Sequence, residues 1–290
     1  MTSANSTAQR VLVVWHIFYP DQIPWFLDKL GNICDCSWDL VVTHVGLDEK
    51  SRQEILRLRP DAKLLQVENI GFDVIPFFIA RESVRPEEYD LVLKLHTKGP
   101  AGDKNFKYNH RRLKGYDWRN TLVDALLRSP KQWKRNLEIF RKEPRTGMVC
   151  SRTLMVSPSP GLLEDTVMLD EELGKYGWTV KDRRFCAGTM FLIRSFLLDA
   201  LQPLTAERQA DVSIRQSGGT PAHLYERLFT LCVRAQGYRV HCRWEGFSYF
   251  CTGLIRNQIG SLFRFLFDIS RDDFYRKYIQ ILGFRIYLTS

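Results

Sequence analysis

No stretch of this 290-residue chain reaches the roughly 18 consecutive apolar residues that a membrane-spanning helix requires. The amino terminus has no basic region followed by an apolar core, so no secretory signal peptide is expected. Cysteine is sparse and unpaired in pattern. The seven residues (Cys34, Cys36, Cys150, Cys186, Cys232, Cys242 and Cys251) are odd in number and scattered, which argues against a disulfide framework. Cys34 and Cys36 are also too close in sequence to form half of a structural zinc site. Reduced, mostly buried thiols in a cytoplasmic protein are the expectation. There is no GxxxxGK[ST] phosphate loop, no GxGxxG fingerprint and no HExxH pair.

What is present is ordinary for a folded protein: 44% hydrophobic and 26% charged residues, enough to exclude disorder over most of the chain. The length suits one large domain or two closely packed halves, with only residues 1–9 reading as a polar tail. The net charge of +9 favours anionic partners, namely a nucleotide diphosphate, a nucleic acid or an acidic membrane face.

The first half alternates strand and helix. Strands are expected at Val11–Tyr19, Asp39–Val45, Ala62–Val67 and Tyr89–Leu95, and helices at Glu49–Leu58, capped by Asp48, and at Asp73–Arg81. Continuous apolar strands separated by helices indicate a mainly parallel sheet covered on both faces, with ligands bound beyond the carboxyl ends of the strands. Thr97–Tyr116 reads as a long basic loop. Helices are expected at Trp118–Arg128 and Lys131–Arg141, and a strand at Gly147–Ser151. After Ser157–Gly161, strands follow at Cys186–Arg194 and Tyr238–Trp244, with a helix at Pro221–Gln236 between them. With no internal repeat or clear linker, residues 10–258 read as one domain, divided near 152 into a nucleotide-binding and an acceptor half. Residues 259–290 form an aromatic and basic extension that either meets a membrane or packs on the core as an amphipathic helix.

Three groups of residues carry candidate chemistry. Asn69, Gly71 and Asp73 follow the third strand: the glycine permits a tight turn or close ligand approach, and the polar pair can hold a nucleoside. Alternatively, Asp73 merely caps the next helix. Lys94, His96 and Lys98 leave the fourth strand on one side, an arrangement suited to a diphosphate or to an ion-pair network with acidic neighbours. His223, Glu226 and Arg227 share one helical face, where the carboxylate can serve as a general base or simply pair with its neighbours. The basic loop has no nucleic-acid-binding motif, so no nucleic-acid partner is expected.

In order, NIGFDVIPFF, YDLVLKLHTK, Trp118-Arg119, GTMFLIR and HLYERLF resemble the rhamnan synthesis protein F family of bacterial surface-polysaccharide proteins, over roughly Val11–Tyr238. The resemblance implies a nucleotide-sugar glycosyltransferase with an α/β, GT-A-like, Rossmann-type three-layer fold. Its donor would be a UDP- or dTDP-sugar, its acceptor a polysaccharide or lipid-linked O-antigen. Asn69, Gly71, Asp73, Lys94, His96, Thr97, Lys98 and Arg119 would hold the donor, with His96 also catalytic. Gly188, Thr189, His223 and Arg227 would line the sugar and acceptor pocket, and Glu226 would be the base. Where many GT-A enzymes carry an Asp-x-Asp metal site, this chain has Lys94, His96 and Lys98, whose positive side chains would do the metal's electrostatic work, so transfer without a metal cofactor is expected. Ile70 and Phe72 stand where relatives often carry arginine beside the glycine. Because many relatives are longer, partner glycosyltransferases and the inner-membrane face are expected neighbours. The alternative from another class is a non-catalytic nucleotide-sugar or glycan-binding subunit of an assembly complex.

Overall fold

The computed structural model describes residues 9–108, 111–158, 163–210, 220–245, 266–271, 277–282 and 284–287. Most of the expected polar tail and residues 259–265, 272–276, 283 and 288–290 of the expected C-terminal extension lie outside them. The chain opens with β1 (Arg10–Ile17), α1 (Ile23–Leu30), β2 (Ser37–His44), α2 (Glu49–Leu58), β3 (Lys63–Gln66), α3 (Val74–Glu82) and β4 (Leu91–His96). β1 is buried from Val11 to Ile17, as its unbroken apolar run requires. Asp48 caps α2 by accepting from the Ser51 N–H at 2.7 Å.

The expected loop after β4 is instead an antiparallel hairpin, β5 (Ala101–Tyr108) and β6 (Arg111–Gly115). Its polar, basic strands lack the apolar alternation by which a half-buried strand is read. Then come α4 (Asp117–Leu127), α5 (Pro130–Lys142), β7 (Thr146–Ser151), β8 (Met155–Val156) and α6 (Leu163–Lys175). α5 starts with Ser129 accepting from the Gln132 N–H and Pro130 in the first turn, and it buries Trp133, Leu137 and Phe140. The stretch expected as one strand, Cys186–Arg194, is two: β9 (Phe185–Cys186) and β10 (Phe191–Arg194), parted by a turn at Ala187–Thr189. α7 (Ala206–Gln209), α8 (Pro221–Ala235) and β11 (Arg239–Arg243) complete the core.

Seven strands form the central sheet in the order β11-β7-β10-β4-β1-β2-β3. All run in one direction except β10, which is antiparallel to both neighbours. Trp15 of β1 stacks on Phe26 of α1 at 5.3 Å on one face. On the other, the Lys94 ammonium lies near the rings of Phe77 in α3 and Phe229 in α8. The molecule is therefore an α/β fold with a mainly parallel sheet between two helical layers.

Towards the C-terminus, the described residues of the aromatic and basic extension include an antiparallel sheet: β12 (Phe267–Arg271), β13 (Lys277–Ile281) and β14 (Phe284–Tyr287). Among the described residues no helix is long and apolar enough to cross a membrane, and the six described cysteines are free thiols.

Candidate active site

A reversed β10 has a direct consequence. Because Phe191 pairs with Lys94, the turn before β10 lies over the carboxyl end of β4. Gly188 and Thr189 thus meet His96 and Lys94, although 95 residues separate Lys94 from Thr189. Around this junction lies a cleft of about 470 Å³. Its walls come from the ends of β1 (His16, Phe18, Tyr19) and β4 (His96 to Gly99), the β3–α3 loop (Asn69, Phe72 to Val74), the β9–β10 turn and the first turns of α8 (Ala222, His223, Glu226). It sits beyond the carboxyl ends of the parallel strands, as the sheet type requires.

Lys94 is 1% exposed and its ammonium pairs with Asp73. It also donates to the Thr189 carbonyl (3.2 Å) and hydroxyl (3.1 Å), while that hydroxyl donates to Asp73 at 2.5 Å. Asp73 therefore does not cap α3 with its side chain; its carboxylate is used by β4 and the β9–β10 turn. Burial pushes the Asp73 carboxyl up, but the neighbouring His96 and Lys94 and the bonds from Lys94 and Thr189 outweigh it and hold it well below the usual range. Burial draws Lys94 down against the attraction of Asp73.

The His96 ring lies between two carbonyls, Nε2 2.8 Å from that of Gly188 and Nδ1 3.0 Å from that of Thr97, and as a neutral ring it donates to one of them. Burial lowers its pKa, and Asp73 opposes that. Burial likewise lowers His16 to about 4. The Thr97 hydroxyl accepts from the Phe18 and Tyr19 N–H groups, tying β1 to β4. Lys98 is the one lysine on the cleft wall among the described residues, its ammonium 4.2 Å from the centre of the Trp118 ring. Burial lowers its pKa, with Asp73 and Glu226 pulling the other way.

On the opposite side, Glu226 accepts from the Gly188 N–H at 2.5 Å. Gly188 is at φ +92°, and a Cβ there would lie 2.7 Å from Leu122 Cδ1 and Trp118 Nε1. Two non-glycine residues on the wall, Phe72 (φ +54°) and Thr189 (φ +50°), are also left-handed. That conformation costs about 1–2 kcal/mol per residue and concentrates at functional sites.

Of the expected site residues, the cleft brings together Asn69, Asp73, His96, Thr97, Lys98, Gly188, Thr189, His223 and Glu226. Lys94 lies beneath it as the partner of Asp73. Gly71 shapes the turn behind it, packed on Ile75. Arg119 is sandwiched between Trp25 and Tyr116 instead, and Arg227 lies over Phe185 and donates to the His223 carbonyl. Sequence reasoning passed over His16, Phe18, Tyr19, Phe72 and the perch that Trp118 offers Lys98. The strand-end rule, applied to β1 as it was to β4, points to the first three.

The exit of β4 offers Lys94 and His96 where a divalent cation would need carboxylates, and the nearby Asp73 is already neutralised. Among the described residues no group of three or more His, Cys, Asp or Glu side chains gathers into a metal-ligand set.

Fold and site together define an α/β protein with a cleft at the carboxyl edge of a mainly parallel sheet. The chain belongs to the rhamnan synthesis protein F family, which residues 1–159 match. It is 30% identical over 237 residues to the uncharacterized protein WxcX of Xanthomonas campestris pv. campestris, covering 79% of this chain and 32% of that one. The chain thus spans about a third of the length of the curated relatives it matches. Similar solved structures include the mannosyltransferase PcManGT of Pyrobaculum calidifontis in complex with GDP-Man and Mn2+ (15% identity, 82% of this chain and 55% of that one, TM-score 0.40). Another is TarS residues 1–349 of S. aureus (11% identity, 72% and 54%, TM-score 0.39).

Proposed function

We propose that the chain is a GT-A-like glycosyltransferase that moves a hexose or deoxyhexose from a UDP- or dTDP-sugar to a bacterial surface polysaccharide or lipid-linked acceptor at the cytoplasmic membrane face. Family membership supports the setting. The observation that carries the reaction is the cleft itself, where Lys98 and Glu226, from β4's exit and α8, line one open volume.

In this reading the bond from the anomeric carbon to the diphosphate breaks as the acceptor oxygen bonds to that carbon. Glu226 takes the acceptor hydroxyl proton, and the Gly188 N–H fixes the carboxylate's position. Lys98 meets the charge that develops on the leaving diphosphate, and Trp118 holds its ammonium without neutralising it. His96 positions Gly188, and Asn69, Tyr19 and Thr97 line the nucleoside path. No step uses a metal.

The test is a panel of UDP-, dTDP- and GDP-sugars scored for thermal stabilisation and donor hydrolysis, in EDTA and with Mn²⁺ added. One sugar nucleotide should stabilise the protein and turn over in EDTA; a strict metal requirement would defeat the metal-free mechanism. Glu226→Gln keeps an oxygen for the Gly188 N–H, so donor binding should persist while kcat falls by about 10²–10⁴. Near-normal turnover would remove Glu226 from the base role.

A further inference from the structure

Phe72 occupies a place that the fold alone would give to another residue. Phe72 is 58% exposed, and its backbone is left-handed, a conformation that glycine and asparagine adopt more readily. The turn is enforced from the preceding position. Gly71 is at φ +71°, and a Cβ there would lie 2.5 Å from Ile75 Cγ1, so the turn passes close in front of α3 and takes glycine at that position. A phenylalanine held in that conformation and mostly exposed contributes little to the core.

The ring contacts His223, centroid to centroid at 5.6 Å and inclined by 62°. His223 is itself exposed, with Nδ1 2.9 Å from the Thr220 hydroxyl. Both rings line the cleft, and His223 lies one helical turn before Glu226. Nearby polar groups are Asn69 and the Glu226 carboxylate, which suit hydroxyl donors and repel phosphate. The one lysine on the cleft wall among the described residues, Lys98, is held over the Trp118 ring.

We propose that Phe72, braced by His223, is the platform for a hexopyranose ring, packing against the sugar's C–H face while Asn69 and Glu226 meet its hydroxyls. The proposal rests on the glycosyl-transfer reading for its biological role, but not for its test. The ring belongs either to the donor sugar or to the acceptor; the apolar C–H face is common to both.

Wild type is compared with Phe72→Gly, which suits the left-handed backbone, and Phe72→Trp, which restores a ring. Saturation-transfer NMR follows methyl α-L-rhamnopyranoside and methyl α-D-mannopyranoside. Thermal-shift titration follows UDP, dTDP and GDP beside UDP-glucose, dTDP-glucose and GDP-mannose. Phe72→Gly should weaken a sugar-bearing ligand by about 3- to 10-fold, with Phe72→Trp close to wild type and bare nucleotides unchanged. Loss confined to the methyl glycosides supports the acceptor ring, and loss confined to the sugar nucleotides supports the donor ring. The proposal is overturned if no sugar ligand binds wild type, if Phe72→Gly leaves every sugar ligand unaffected, or if bare nucleotides weaken equally. Phe72-dependent glycoside binding with no nucleotide binding would keep the platform and remove the transferase reading.

Discussion

The buried pair of Lys94 and Asp73 joins three segments, β4, the β3–α3 loop and the β9–β10 turn, through two charges and one hydroxyl. Such a pair adds little net stability, because desolvation offsets attraction, but it is costly to break on one side. Lys94→Met should therefore lower unfolding free energy by about 3–5 kcal/mol, and the double variant Asp73→Asn/Lys94→Met should recover most of it. Urea denaturation of the single and double variants checks this; additive losses would mean the pair is not coupled.

The Asp73 carboxyl, held below its unfolded value, contributes stability that is present above about pH 4 and lost as pH falls further. His16 acts in a higher window. Its folded pKa of about 4 lies below the unfolded 6.5, so between those values the unfolded chain binds the extra proton and stability falls with falling pH. The His16 share is on the order of 2 kcal/mol between about pH 7 and pH 5. His16→Gln should flatten the pH dependence of urea midpoints by that amount, and an unchanged slope would count against a buried neutral ring. The sequence showed Lys94, His96 and Lys98 leaving one strand. It did not show that Asp73 takes the first of them, because that depends on contacts 21 and 95 residues away.

At the scale of elements, the legible parts were those whose environment leaves a local mark. β1 and the Leu40–Val42 and Leu91–Leu93 stretches of β2 and β4 are apolar runs because helices cover both faces, and α2 announces its start through Asp48. The β5–β6 hairpin and the reversal of β10 leave no such mark: the first is polar, and strand direction is a property of the whole sheet. The turn before β10 is where this matters most, since its peptide groups hold both His96 and Glu226. Gly188→Ala combines a left-handed φ with contacts of 2.7 Å to Leu122 and Trp118. It should cost on the order of 2–3 kcal/mol and displace both side chains. Denaturation together with nucleotide binding measures this; wild-type values for both would show that the turn can be rebuilt without glycine.

For the molecule as a whole, the C-terminal sheet stands apart chemically from the core. Phe267, Leu282, Phe284 and Ile286 are 55–78% exposed, and its three strands carry Arg271, Lys277 and Arg285 against the single acid Asp268. Exposed apolar residues in strands whose sequence is also basic suit an anionic membrane surface, where burial and charge attraction act together. A lipid-linked acceptor would place the cleft at such a surface. The full chain should float with phosphatidylglycerol vesicles, less so with neutral ones and less at high salt. Phe284→Ser/Ile286→Ser should reduce vesicle partitioning by about tenfold or more, since each side chain gains roughly 1.5–3 kcal/mol on full burial. Donor binding in the cleft should be untouched by that change. Equal flotation of variant and wild type would locate any membrane contact elsewhere, and self-association lost in the variant would identify the sheet as a protein-binding face.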